Sequence, residues 1–112
     1  KKVEVDRAGL AAALRRVIVA ADNNGAVYLD VKPGEMEMTS SSAEVGTANE
    51  NIAAAYEGEP LRVCINGNYV LDFLNAASGQ EVALTLKDAK SAAMLMDGAD
   101  YIGVIMLMRG PK

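Results

Sequence analysis

The sequence has no histidine and a single cysteine, Cys64. Without histidine there is no Ser-His-Asp or Cys-His catalytic pair and no His-ligated metal. One cysteine excludes an internal disulfide and a Cys-rich zinc site. No apolar run nears the ~18–20 residues of a membrane helix. No N-terminal stretch joins a charged start, an apolar core and a small-residue cleavage site, so a reduced, cytoplasmic setting without membrane contact is expected. Excess positive charge is lacking too, the formal net charge being −4. A protein that grips nucleic acid by bulk charge is usually basic. Any contact with DNA is therefore expected to be weak, local or geometric.

What is present is globular. Of 112 residues, 51% are apolar and 23% charged. That is one domain's worth of chain, residues 1–112, and it is too apolar for a disordered tail.

The chain opens with an alternating strand, Lys2-Val3-Glu4-Val5, followed by Asp6 as an N-cap. Leu10, Ala13, Leu14, Val17, Ile18 and Ala21 then recur at helical spacing and form one apolar stripe. Arg15, Arg16 and the apolar Val19 fall on the far side. The helix should stop at the turn cluster Asp22-Asn23-Asn24-Gly25. Ala26–Val31 and Glu35–Thr39 read as a hairpin around Lys32-Pro33-Gly34. Ser40-Ser41-Ser42 reads as a loop. Residues 46–56 make a further strand, although Ala53-Ala54-Ala55 favours helix by propensity.

The pattern then restarts. Leu61–Ile65 is a strand, Asn66 a second N-cap, and Asn68–Ala77 a helix. Strands follow at Glu81–Leu86, Ser91–Met96 and Tyr101–Met108. Shifted by 60 positions, Val3, Val5 and Asp6 land on Val63, Ile65 and Asn66, while Leu10, Ala13 and Leu14 land on Val70, Phe73 and Leu74. The chain is two tandem β-α-β-β-β units, residues 2–57 and 61–109. A unit this short cannot bury its own helix stripe, so the two should share one core. The expected fold is α+β: a curved antiparallel sheet with two helices on one face.

Chemically active groups are sparse. Glu35 and Glu37 share a strand face and read as solvated carboxylates. Asp97 and Asp100 bracket a turn, which Asx-turn hydrogen bonding explains without a metal. Cys64 reads as a buried, inert thiol. Ser40-Ser41-Ser42 lacks both the flanking glycines and the base of a nucleophile elbow. Neither a catalytic centre nor a cofactor is expected. Arg15 and Arg16 could contact phosphates or simply face solvent. The run Ile102-Gly103-Val104-Ile105-Met106-Leu107-Met108 does not alternate as a half-wet strand should. It is either a doubly buried central strand or an apolar groove lined by adaptable methionines. Val19 is a scattered surface residue or part of an interface between subunits.

Several segments resemble one family. Asn68-Tyr69-Val70-Leu71-Asp72-Phe73-Leu74-Asn75-Ala76 resembles the Y-V/L-L-D-x-L-x-A helix of the bacterial DNA polymerase III β subunit, the sliding clamp. Ile105-Met106-Leu107-Met108-Arg109 resembles its V-M-P-M-R-L ending, Ala55-Tyr56-Glu57-Gly58 its Y-x-G turn, and Val3-Glu4-Val5-Asp6-Arg7 its strand-to-helix entry. The likeness spans the whole chain and fits only the third, C-terminal domain of a three-domain protein.

The resemblance implies a non-catalytic processivity factor for DNA replication. Two protomers close head to tail into a ring around duplex DNA, with helices lining the hole. A groove on the C-terminal domain takes short Q-L-x-L-F-type peptides of polymerases, clamp loader and repair proteins. By position, the groove would be lined by Lys90, Ala92, Val104, Met106, Leu107, Met108 and Arg109. Ile18 and Val19 would meet the neighbouring protomer, and Arg15 and Arg16 would face DNA. Two departures stand out. Leu107 occupies the family's Pro position, which restores a backbone donor. Ala21-Asp22-Asn23-Asn24-Gly25 replaces a basic S-N-E-K-x-R-G turn. The residues alone also allow a free-standing two-repeat binding module that homodimerises through its apolar C-terminal strand.

Overall fold

The computed structural model describes residues 2–21, 25–42, 45–86, 92–98 and 101–108. The first repeat comprises β1 (Lys2–Asp6), α1 (Arg7–Ile18), β2 (Ala26–Lys32), β3 (Gly34–Ser42) and β4 (Gly46–Ala54). The second comprises β5 (Leu61–Asn66), α2 (Gly67–Ala76), β6 (Glu81–Leu86), β7 (Ala92–Asp97) and β8 (Tyr101–Met106). Both caps form as the residue types dictate. The Asp6 carboxylate accepts from Gly9 N–H at 2.7 Å, and Asn66 Oδ1 accepts from the N–H groups of Asn68 and Tyr69 at 2.9 and 3.3 Å.

The antiparallel strands divide into two four-stranded sheets, ordered β1-β6-β7-β8 and β4-β3-β2-β5. Each repeat lends its first strand to the other's sheet: β1 pairs with β6, and β5 with β2. The two seams are closed in corresponding places. Glu4 and Ala55 exchange backbone hydrogen bonds of 3.0 and 2.8 Å, and Met108 N–H donates to the Cys64 carbonyl at 2.8 Å. Neither repeat can therefore keep its sheet intact without the other. The helices pack on each other and on the sheets, and the buried side chains form one cluster drawn from both repeats. Leu10, Leu14 and Val17 of α1 join Val70 and Leu74 of α2 over Val3, Val5, Leu29, Ile65, Leu84 and Leu95.

Two glycines permit this closeness. A Cβ at Gly67 would lie 2.9 Å from side-chain carbons of Ile18 and Val27, so the start of α2 can press on the end of α1 only without one. A Cβ at Gly103 would lie 2.8 Å from Phe73 Cδ1. The Phe73 ring lies over this bare backbone and stacks on Tyr101, with centroids 4.7 Å apart and planes 1° from parallel.

Some expectations shift. Helix α1 ends at Ile18 instead of running to the turn cluster. Two tight bonds, Ala20 N–H to Val17 and Ala21 N–H to Ile18, finish it. Ser40–Ser42 are not loop but the end of β3. Ser40 is buried, and its hydroxyl donates to the Val17 carbonyl, satisfying a helix-end acceptor. Asp97 reaches beyond its own turn. Its carboxylate accepts from Ser78 and Gly79 N–H at 2.9 and 3.2 Å and pins the turn after α2. Asp100 lies outside the described residues. Ala53 and Ala54 are strand, held by pairing with Glu35 and Gly34 against their helix propensity.

Candidate functional site

Strand β8 is an edge strand, not a doubly buried central one. Its unbroken apolarity has another cause. Tyr101, Gly103 and Ile105 face inward, as the Phe73 contacts and the burial of Ile105 require. Ile102, Val104 and Met106 alternate onto the outer face, away from the helices. Beyond Met106 the chain leaves β7 and crosses to β5, where Met108 bridges Cys64. Leu107, at the crossing, packs against the core. Apolar side chains are needed outward, inward and at the crossing, so no alternation survives.

The outer face is built in rows by strand register. Ala92 stands opposite Met106, Met94 opposite Val104 and Met96 opposite Ile102. Further across the sheet, Thr85 and Lys2 continue the Met94 row, and Ala83 and Glu4 continue the Met96 row. Val104 is 63% and Met106 70% exposed, with Met94 and Ile102 also open. This is an apolar strip at the β8 edge that grades into charge at β1. Beside it lies an open cleft of about 400 Å³ lined by Lys2, Glu4, Glu81, Ala83, Met96 and Gly98.

Of the groove residues expected from the sequence, Ala92, Val104 and Met106 come together on this face. Leu107 and Met108 follow at the crossing, half-buried. Lys90 and Arg109 lie outside the described residues. Met94 and Ile102 also belong to the strip; Ile102 lies in the run that reads as a possible groove, whereas Met94 is in none of the expected sites. Met94 alternates with Ala92 and could have been found once β7 was paired with β8. Tyr69, 60% exposed on the first turn of α2, directly follows the strand that Met108 joins.

The opposite side of the domain carries the helices. Arg15 and Arg16 are exposed on α1, and both guanidinium groups already have partners. Arg15 Nη2 reaches Asn75 Oδ1 of α2 at 3.4 Å, a long contact. Arg16 Nη2 donates to Glu50 Oε1 of β4 at 2.9 Å. That hydrogen bond holds the Glu50 carboxyl below its ordinary pKa and the Arg16 guanidinium above its own. Val19 is 71% exposed just past α1, whereas Ile18 is half-buried and packs against the core.

Elsewhere, several of the described polar groups pair with one another. Glu35 pairs with Lys32 at 3.4 Å. Glu37 stands across the ladder from Asp30. Asp30 accepts both Arg62 Nε and Nη2, at 3.0 and 3.2 Å, and the Arg62 guanidinium lies 4.4 Å from the Tyr28 ring centroid. Cys64 is buried, and burial raises its thiol pKa, leaving it a poor nucleophile. Among the described residues no group of three or more Cys, Asp or Glu could hold a metal ion, and no helix is long and apolar enough to cross a membrane.

Comparison with known proteins agrees along the whole chain. Residues 1–109 match the DNA polymerase III beta subunit, C-terminal domain. The beta sliding clamp of Pseudomonas putida is 31% identical over 112 residues, covering 97% of this chain and 30% of that protein. The beta sliding clamp of Chlamydia pneumoniae is 28% identical over 109 residues, covering 96% of this chain and 30% of that protein. The crystal structure of the DNA polymerase III subunit beta from Pseudomonas aeruginosa superposes with a TM-score of 0.92 at 26% identity, over 98% of this chain and 31% of that one. A sliding clamp from Bartonella birtlesii bound to griselimycin superposes with a TM-score of 0.91 at 29% identity, over 97% of this chain and 30% of that one. The chain thus spans about 30% of the length of the curated relatives it matches.

Proposed function

Because the chain belongs to the family formed by the C-terminal domain of the DNA polymerase III beta subunit, we propose that it serves as the peptide-capturing domain of a replication processivity clamp. The observation that carries this reading is the apolar strip at the β8 edge. Val104 and Met106 stay in water although the same sheet buries Val3, Val5, Leu84, Leu95 and Ile105 on its other face. An apolar strip beside an open cleft suits a short peptide with apolar anchors, of the Q-L-x-L-F type borne by polymerases and clamp loaders. Ala92, Leu107 and Met108 extend the same surface, and in this reading Lys90 and Arg109 also serve the peptide.

The sheet separates this strip from the helices. A clamp that holds DNA on its helical side can therefore hold a polymerase peptide on its sheet side at the same time. In this reading two complete protomers close head to tail, with Ile18 and Val19 at the interface between them. Arg15 and Arg16 face duplex DNA and touch phosphates without sequence preference. The protein acts as a tether and not as a catalyst, and needs no cofactor. The free-standing dimer alternative is less favoured, because the family likeness covers nearly the whole chain.

The test is a fluorescence-anisotropy titration of the chain with a labelled Q-L-x-L-F pentapeptide and a scrambled control. Saturable binding of the first alone, lost in M106D, is expected. Equal binding of both peptides, or none, overturns the reading.

A further inference from the structure

The six methionines fall into contrasting settings. Met36 and Met38 are fully buried in the core, while Met96 and Met108 are half-buried. Met94 and Met106 stand open on the outer face of β7 and β8, Met94 directly across from Val104 and Met106 in the next row, across from Ala92. Their thioether sulfurs are the soft, oxidisable atoms of the apolar strip.

We propose that Met94 and Met106 form an oxidative modification site, at which conversion to the sulfoxide releases the peptide held on this face. The proposal rests on the peptide-binding reading above. The oxidant is a peroxide. A sulfur lone pair attacks one peroxide oxygen, the O–O bond breaks, and an S–O bond forms. The second oxygen takes up a proton and leaves as water. For hydrogen peroxide the balance is one thioether plus one H₂O₂ giving one sulfoxide plus one water, with sulfur giving up two electrons.

The setting explains why this change would matter. Met106 pairs across the ladder with Ala92, and Met94 stands opposite Val104. Among the described residues, neither Ala92 nor Val104 offers a side-chain hydrogen-bond donor, whereas Thr85, on the other side of Met94, carries a hydroxyl. A sulfoxide oxygen at Met106 must therefore be solvated by water, and an apolar peptide lying on the strip would displace that water. The oxidised face keeps its fold, because neither side chain belongs to the buried core, Met106 being largely and Met94 partly exposed. Methionine sulfoxide reductases reverse the reaction, so the change is a switch and not only damage.

The experiment treats the chain with hydrogen peroxide and maps added oxygen by peptide mass spectrometry. The labelled pentapeptide is titrated before treatment, after it, and after repair with methionine sulfoxide reductases. One oxygen is expected on each of Met94 and Met106 and none on Met36 or Met38. Affinity should fall about tenfold or more and return on repair. In M94L/M106L, whatever its own starting affinity, peroxide should change nothing. Unchanged wild-type affinity with both sulfoxides present overturns the proposal, and so does equal peroxide sensitivity in M94L/M106L. Failure of the untreated chain to bind the peptide overturns the peptide-binding reading itself, and the switch with it.

Discussion

Met108 donates its backbone N–H to the carbonyl of Cys64 at 2.8 Å, and so ties the end of the C-terminal run to the first strand of the second repeat. This bond crosses from one sheet to the other. It fixes where the chain leaves β8 and holds Leu107 over the core while Met106 stays in solvent. The exposed strip is therefore a product of the seam, and its rigidity depends on how well the seam is packed from below.

That packing gives the first prediction. G103A places a methyl group against Phe73, beneath the strip. The ring must shift and its stack on Tyr101 must open. Overpacking of this kind costs about 1–3 kcal/mol, readable in urea unfolding. A stability unchanged from wild type would mean that the Phe73 contact is not tight.

The shared core gives the second. Leu14 and Leu74 occupy equivalent places in the two repeats and are both fully buried. L14A and L74A should each cost about 2–5 kcal/mol. Because each repeat completes the other's sheet, either variant should unfold in one transition with coincident probes. Two separated transitions would show that the repeats fold independently.

Much of this architecture is legible in the sequence. The 60-residue shift places cap on cap, Asp6 on Asn66, and stripe on stripe, Leu14 on Leu74, because these positions answer to local rules. The exchange of β1 and β5 between sheets was not legible. Strand partners depend on which edges meet in space, and both strands carry the same alternation whichever sheet receives them. The edge position of β8 was hidden for a related reason. Inward Ile105, outward Met106 and crossing Leu107 are all apolar for different causes, and their sum looks like a doubly buried strand. Asp97 reads as a turn former, yet it serves a turn 18 residues earlier. Only tertiary structure brings that partner to it.

Exposure separates function from stability at the strip. Met106 is largely in water, so M106A should leave unfolding free energy within about 0.5 kcal/mol of wild type. Its affinity for the pentapeptide should nevertheless fall about tenfold, the loss of roughly one buried apolar side chain at the interface. A large stability loss would instead assign Met106 to the core.

The helix face makes an electrostatic prediction. If Arg15 and Arg16 touch phosphates, duplex binding by the chain should weaken with salt. R15A and R16A should each reduce the slope of log K against log salt by about 0.9. Loss of affinity at constant slope would place the arginines outside the phosphate contact.

The Arg16–Glu50 bond makes a pH prediction. The folded state holds the Glu50 carboxyl below its ordinary pKa, through the hydrogen bond from Arg16. The pair's contribution is therefore complete above the ordinary carboxylate range and is lost as pH falls through the lowered folded value. In E50Q the acid-side loss of stability should be shallower than in wild type, read by urea unfolding between neutral and acidic pH. Identical profiles would mean that the pair is too exposed to contribute.

The central claim is that the β8 edge captures peptide while the helices are left free for DNA. The most direct measurement is an NMR titration of the isotope-labelled chain with the Q-L-x-L-F pentapeptide. Saturable shifts at Ala92, Met94, Val104 and Met106 through Met108, with Arg15, Arg16 and Val19 unmoved, are predicted. Shifts centred on the helices, or silence from a well-dispersed spectrum at high peptide concentration, would contradict it.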